Sequence, residues 1–116
     1  MSIQKQVVEK YMDGFRTTDH DKISSCLTDD VIWEIPGFYL RHGITEFNNE
    51  IENPNADGHP DIHISRLIEE GNMVVAEGVV KAKMKDGSKL SAVFCDVFHF
   101  RDEKICKLTS YLMFEQ

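Results

Sequence analysis

The chain has few cysteines and lacks long hydrophobic runs. Cys26, Cys95 and Cys106 are odd in number and form no CxxC pair, so neither a disulfide framework nor a zinc site is indicated. They are expected to be small buried apolar residues. No apolar run approaches the ~20 residues that span a bilayer, and the first residues lack the apolar core of a signal peptide. We therefore expect a cytoplasmic protein without a membrane partner.

Basic residues are also in short supply. The 13 Lys and Arg are outnumbered by 20 Asp and Glu, which makes the formal net charge −7. Nucleic-acid binding depends on clustered cations that neutralise phosphates, so no nucleic-acid partner is expected. The composition, 41% hydrophobic and 28% charged, is that of an ordinary globular protein. The length suits one domain over residues 1–116.

Motifs for metal and nucleotide chemistry are missing. No two histidines have the i, i+4 spacing of a metal site on a predicted helix, and no carboxylate cluster accompanies His42 or His63. A Gly-rich phosphate loop and a GxSxG motif are absent as well. We expect neither a metal nor a cofactor.

The first half of the sequence alternates between helical and strand patterns. Apolar residues recur at helical spacing over residues 3–15, with Ser2 as the expected cap. Asp19 can cap a short second helix that ends at residues 28–30. The β-branched and aromatic run at residues 31–35 predicts a strand that a Pro-Gly pair ends. A third helix is expected from Gly43 until the Asn-Pro pair at residue 53.

The second half has the pattern of strands. Four β-rich runs, at residues 62–68, 73–84, 90–100 and 105–114, are separated by turn signals and predict an antiparallel meander. Residues 53–60 contain Asn-Pro, Asp-Gly and His-Pro pairs, which predict a surface loop. The expected fold class is α+β, with three N-terminal helices packed on a strongly curved, mainly antiparallel sheet.

This order of elements, with Asp-Asp-Val-Ile-Trp-Glu-Ile-Pro-Gly at residues 29–37, resembles the nuclear transport factor 2-like superfamily. The resemblance covers about Val7 to Phe114. Within the superfamily, the chain looks most like the ketosteroid isomerase and SnoaL-like polyketide cyclase branch. The resemblance implies a cystatin-like cone that closes around a deep apolar pocket. It also implies a homodimer formed through the outer face of the sheet.

Two residues match functional positions of that branch. The isomerases have a Tyr on the first helix, in a pattern similar to Val7-Val8-Glu9-Lys10-Tyr11, and Tyr11 lies at its position. They also have an Asp on the penultimate strand within an Asp-x-Phe-x-Phe pattern, which Asp96 begins here. The resemblance implies that both donate hydrogen bonds to a developing enolate oxygen, with Asp96 protonated in apolar surroundings. In the SnoaL-type cyclases a single strand Asp is thought to be the acid and base, and Asp96 is its best match. Taken singly, each residue also fits an ordinary structural role.

The third isomerase position departs from the family pattern. In the isomerases a proton-shuttling Asp precedes the Pro that follows the first strand. This chain has Ile35 at that position. Glu34 is adjacent, but strand alternation points it to the opposite face. Trp33 shares the parity of Ile35, so both are expected to line the pocket. The remaining pocket wall is expected from the aromatic residues Phe15, Phe94 and Phe98.

Glu77 is the candidate for a second carboxyl in the pocket, and its facing depends on the Asp86-Gly87 turn. A tight two-residue loop would place Glu77 directly opposite Asp96, where the two carboxyls would titrate as a coupled pair. A longer loop or a bulge would shift the register by one and put them on different faces. Glu77 would then be a solvated or interface residue, which is the favoured interpretation, although it stays a candidate substrate-binding residue. The facing of Tyr111 on the last strand is likewise open.

Three functions are compatible with these observations. The first is a cofactor-independent isomerase or polyketide-cyclase-like lyase that acts on an apolar carbonyl compound. The second is a non-catalytic ligand-binding or assembly domain, which the missing Asp at Ile35 favours. The third, a hydrolase or dehydratase, ranks last because epoxide hydrolysis in this superfamily uses an Asp-Arg-Asp constellation, and the arginines here have doubtful positions. Fold alone does not decide among them.

Overall fold

The computed structural model describes residues 2–115. It contains three helices, α1 (Ile3–Thr17), α2 (His20–Ser24) and α3 (Gly43–Asn48). Its strands are β1 (Leu27–Ile35), β2 (Tyr39–His42), β3 (Ala56–Glu70), β4 (Met73–Met84), β5 (Lys89–Arg101) and β6 (Lys104–Phe114). They form one curved mixed sheet in the order β2-β1-β6-β5-β4-β3, in which β1 and β6 are parallel and the other neighbours antiparallel.

Two of the three helices are short, and the third does not precede the sheet. The predicted caps are present: the Ser2 side chain accepts a hydrogen bond from the Lys5 N–H, and the Asp19 side chain accepts one from Lys22. However, α2 has 5 residues and α3 has 6, so α1 is the one long helix within residues 2–115. Helix α3 also comes after two strands, since β1 begins at Leu27 and β2, which pairs with β1, ends at His42. The expectation of three N-terminal helices is therefore corrected.

The expected loop at residues 53–60 is in large part strand. Strand β3 begins at Ala56, and Asp57 pairs with Lys83 of β4. The register then shifts before Asp61, which pairs with Lys81. Gly58 lies in this irregular stretch with a φ of +83°. The turn-type residues thus mark an irregularity within a long strand, as glycine and proline often do.

The predicted meander of β3 to β6 is confirmed, but the β4–β5 hairpin has the longer of the two loops considered. Met84 pairs with Ser88 through a 2.9 Å hydrogen bond, so three residues form the loop. Gly87 has a φ of +89°, the left-handed conformation that the last residue of such a loop requires. As a result Asp96 lies opposite Ala76, and Glu77 lies opposite Cys95.

The core lies between α1 and the inner face of the sheet. Its fully buried side chains include Val8 of α1, Val74 of β4, Phe98 of β5 and Leu108 of β6. Of the cysteines, Cys26 is buried, whereas Cys95 and Cys106 are half-buried, and none forms a disulfide among the described residues. No helix within residues 2–115 is both long and apolar enough to cross a membrane.

Candidate active site

An apolar cavity of about 120 Å³ lies beneath α1 on the inner face of the sheet, and we call it the inner cavity. Its lining residues are Tyr11, Met12, Phe15, Trp33, Ile35, Ile62, Val80, Phe94, Asp96, Ser110 and Leu112. A larger space of about 980 Å³, the outer chamber, shares several of these walls, among them Phe15 and Trp33. Polar side chains at the rim of the outer chamber include Glu52, His59 and Lys85.

Strand alternation explains why these residues meet. On β5 the buried positions are the even-numbered ones, which include Phe94 and Asp96. On β1 the odd-numbered positions Trp33 and Ile35 are buried. Helix α1 then covers the cavity with one side of its apolar stripe. The period of two in a strand therefore brings a carboxyl group into a wall that is otherwise almost entirely apolar.

Asp96 is the one carboxyl group of the described residues that lines the inner cavity. Its side chain is buried, and the residue is 9% exposed. Burial raises the pKa of the Asp96 carboxyl to about 7, and the nearby Ser110 hydroxyl partly opposes that rise. The physical cause is the loss of hydration that a carboxylate would suffer in an apolar cavity. Near neutral pH the group can therefore be either a proton donor or a proton acceptor.

Tyr11 is the second polar group of the wall. The residue is 2% exposed, and its ring packs edge-on against Phe98 at 5.3 Å between centroids. Burial raises the pKa of the Tyr11 hydroxyl well above its usual value, and the charge of Asp96 raises it further. Tyr11 is therefore a neutral hydroxyl donor in the same cavity as Asp96.

Ser110 is a cavity residue that the sequence analysis missed. It lies opposite Asp96 in the β5–β6 pairing, and its Oγ accepts a 3.0 Å hydrogen bond from Trp33 Nε1. The available signal was a single polar residue between Leu108 and Leu112 on the apolar face of β6. That signal does not show which residue faces Asp96, because the register shifts near His99.

Most of the predicted pocket residues do line the inner cavity. They are Tyr11, Phe15, Trp33, Ile35, Phe94 and Asp96. Phe98 does not reach the cavity, because it lies fully buried against the Tyr11 ring. Tyr111 is half exposed on the outer face of the sheet. The roles of these residues in binding or catalysis stay predictions.

Glu77 is the clearest departure from the expected site. It faces away from the inner cavity, opposite Cys95, and its Oε1 lies 2.6 Å from Arg66 Nε. The reason is the three-residue hairpin loop, which shifts the register by one relative to a two-residue loop. A Glu77–Asp96 carboxyl pair therefore does not form.

Few other charged groups lie near the inner cavity. Among residues 2–115, Asp96 is the one carboxylate that lines it, and no arginine does. The Arg16 side chain instead donates a 3.0 Å hydrogen bond to the Ile62 carbonyl. No cluster of three or more potential metal ligands is present in the same part of the chain. An Asp-Arg-Asp arrangement is therefore not formed on this wall.

The chain belongs to the SnoaL-like domain family, whose model matches residues 8–108. This places it in the nuclear transport factor 2-like superfamily, as the order of elements indicated. No curated protein matches the sequence.

Solved structures share the fold over nearly the whole chain. An LEH-like epoxide hydrolase from M. tuberculosis is 19% identical with a TM-score of 0.84, over 96% of this chain and 83% of its own. TerC, co-crystallised with polyporic acid, is 21% identical with a TM-score of 0.84, and the match covers 98% of this chain and 92% of TerC. A putative ketosteroid isomerase from Kribbella flavida is 17% identical with a TM-score of 0.78, and the match covers 98% of this chain and 80% of the isomerase. At these identities the similarity shows the fold alone.

Proposed function

We propose that this protein is a cofactor-independent enzyme of the isomerase or cyclase kind that acts on an apolar carbonyl compound. The observation that carries the proposal is the placement of two hydroxyl donors, from Tyr11 and protonated Asp96, on the wall of an otherwise apolar cavity. Both can donate to the oxygen of an enolate, Asp96 once its carboxyl carries the proton. Such a preorganised donor in a dry site contributes about 3 kcal/mol to transition-state stabilisation.

Asp96 would also move the proton. Its carboxylate takes the proton from the carbon next to the carbonyl while Tyr11 donates to the carbonyl oxygen, and the carboxylic acid so formed then returns the proton to carbon. Ile35 occupies the position of the isomerase base, and no second carboxylate lines the inner cavity within residues 2–115. A pKa of about 7 lets Asp96 accept a proton in its charged form and return it in its neutral form. A single carboxyl group that works in both directions is the arrangement expected of the SnoaL-type cyclases.

The size and walls of the cavity suggest the class of substrate. A protein cavity of roughly 150 Å³ can hold one benzene molecule, and the inner cavity is slightly smaller than that. Trp33, Phe15 and Phe94 supply flat aromatic walls. We infer a substrate whose carbonyl-bearing end is one small ring, while any bulkier part lies in the outer chamber.

A second candidate is a non-catalytic ligand-binding domain that uses the same cavity. The presence of Ile35 where the isomerases have their Asp favours it.

Either function is compatible with a homodimer, which we propose forms through the outer face of the sheet. There Val93, Tyr111 and Met113 are 45%, 52% and 74% exposed on neighbouring strands, and grouped exposed apolar side chains are typical of contact surfaces.

The test is a titration with a phenol, which mimics an enolate, at pH 6 with Trp33 fluorescence as the signal. We expect Tyr11→Phe and Asp96→Asn each to weaken binding about tenfold, or ~1.4 kcal/mol. The matched controls are Tyr111→Phe and Asp61→Asn, which change an exposed tyrosine and an exposed aspartate and should leave the affinity unchanged.

A second measurement separates the enzyme from the binding domain. Cyclic ketones are incubated with the protein in D₂O, and exchange of the protons next to the carbonyl is followed by NMR. Exchange that Asp96→Asn abolishes supports the enzyme. Phenol binding without any exchange supports the binding domain, whereas phenol binding that neither site variant weakens refutes the proposed donor pair.

A further inference from the structure

Trp33 and Ser110 form a buried polar contact that the proposed chemistry has not yet used. Ser110 is a buried residue of the cavity wall, and Trp33 Nε1 lies 3.0 Å from its Oγ. The Trp33 ring is also held in place by Phe47, on which it stacks at 4.4 Å between centroids. The indole N–H therefore points at Ser110 from a rigid ring.

The donor and acceptor capacities of these groups determine the direction of the contact. An indole N–H can only donate, so Ser110 Oγ must accept from Trp33. The single proton of the hydroxyl is then available to another acceptor. The cross-strand neighbour of Ser110 is Asp96, and the hydroxyl lowers the pKa of its carboxyl. Both side chains line the inner cavity, so the hydroxyl and the carboxyl lie on the same face of the sheet.

We propose that Trp33 and Ser110 act together as positioning residues for Asp96. The indole N–H holds the Ser110 hydroxyl, and the hydroxyl donates its proton to one oxygen of the Asp96 carboxylate. The other carboxylate oxygen is thereby left to a ligand in the inner cavity. The value of this relay for catalysis rests on the proposed function, but the relay itself can be measured without any substrate.

Other groups around Asp96 do not provide the same contact. On the inner face, α1 contributes Tyr11, whose own pKa the Asp96 charge raises. The partner of Asp96 on β4 is Ala76, which carries no polar group. Cys95 and Glu77 lie on the opposite face of the sheet, and the Asp96 charge reaches the Cys95 thiol only as a secondary influence on its pKa, after burial and Glu77. Within residues 2–115, Ser110 is thus the hydroxyl placed to stabilise the charged form of Asp96.

The first test uses the unaltered protein. Trp33 is the one tryptophan in the sequence, so its indole N–H is a single resonance in a ¹H–¹⁵N spectrum. We expect this resonance to shift with pH at the same midpoint as the side-chain carboxyl carbon of Asp96, because Ser110 links the two groups. In Ser110→Ala the carboxyl should still titrate, but the indole should no longer follow it.

The second test is a double-mutant cycle on the midpoint of the Asp96 titration. Ser110→Ala should raise the midpoint by about one pH unit, a tenfold change in proton affinity. Trp33→Phe should raise the midpoint by less. In the Ser110→Ala background Trp33→Phe should have no further effect, because the indole acts through the Ser110 hydroxyl. Ser110→Thr keeps the donor and should retain the original midpoint. Ser91→Ala is the matched control, because the Ser91 hydroxyl makes an exposed hydrogen bond to Glu115 and does not line the inner cavity.

Two outcomes would overturn the relay. One is an indole resonance that does not respond to Asp96 ionisation in the unaltered protein. The other is an equal effect of Trp33→Phe with and without Ser110, which would mean that the indole acts on Asp96 directly. The proposed function fails separately, through phenol binding that is indifferent to Tyr11→Phe.

Discussion

Replacement of Asp96 by Asn should make the protein more stable at neutral and alkaline pH. The native carboxyl has a pKa of about 7, against 3.8 in an unperturbed aspartate. Between these two values the folded protein retains a proton that the unfolded chain has already released. The native state therefore loses stability as the pH rises from about 4 to about 7, and the loss is complete above that range.

The size of the effect follows from the shift. Each pKa unit corresponds to about 1.4 kcal/mol, so a shift of about three units corresponds to roughly 4 kcal/mol at pH 8. At pH 4 the carboxyl is largely protonated in the folded state, and the expected difference falls below about 1 kcal/mol. Asn keeps the shape of the side chain and cannot ionise, so it removes this pH-dependent cost.

Urea unfolding followed by Trp33 fluorescence measures the effect at pH 4, 6 and 8. The difference in unfolding free energy between Asp96→Asn and the original protein should grow with pH. Asp61→Asn, which changes an exposed strand residue, is the control and should alter stability by less than about 0.5 kcal/mol at each pH. Parallel stability curves for Asp96→Asn and the original protein would show that Asp96 is not desolvated in the native state.

Further predictions concern packing, register and assembly. Gly78→Ala should destabilise the fold by roughly 1–3 kcal/mol in urea unfolding, because the added Cβ would clash with the His63 carbonyl oxygen and lie 2.6 Å from Phe94 Cζ. A neutral result would contradict this packing. Glu77→Gln should leave phenol affinity unchanged, and a change above threefold would mean that its carboxyl reaches the cavity. Met113→Lys should lower the apparent mass in analytical ultracentrifugation if the outer face forms the dimer, and an unchanged dimer would refute that interface.

Local patterns were sufficient for the residues that depend only on their own element. The helical stripe of α1 placed Tyr11 and Phe15 on the inner side, and alternation placed Trp33 with Ile35 and Phe94 with Asp96. These periods, 3.6 residues in a helix and two in a strand, are properties of the backbone. The resemblance to the family then related Tyr11 and Asp96 to one pocket.

Pairing between strands was beyond those patterns. The residue opposite Asp96 depends on the length of the 85–87 loop on one side and on the register shift near His99 on the other. A shift of one residue in the first would place Glu77 opposite Asp96 in place of Ala76, and a shift in the second would replace Ser110 by a neighbour.

The sequence by itself thus determined the class of fold, the long first helix and the inward side of β1 and β5, since each follows from local patterns and the order of the elements. The tertiary structure decided that Asp96 lies opposite Ser110 and Ala76 rather than Glu77, that Phe98 packs against Tyr11, and that β3 continues through turn-type residues. These outcomes depend on turn conformation and on packing between segments distant in the chain. Neither is encoded in the periodicity of a single element.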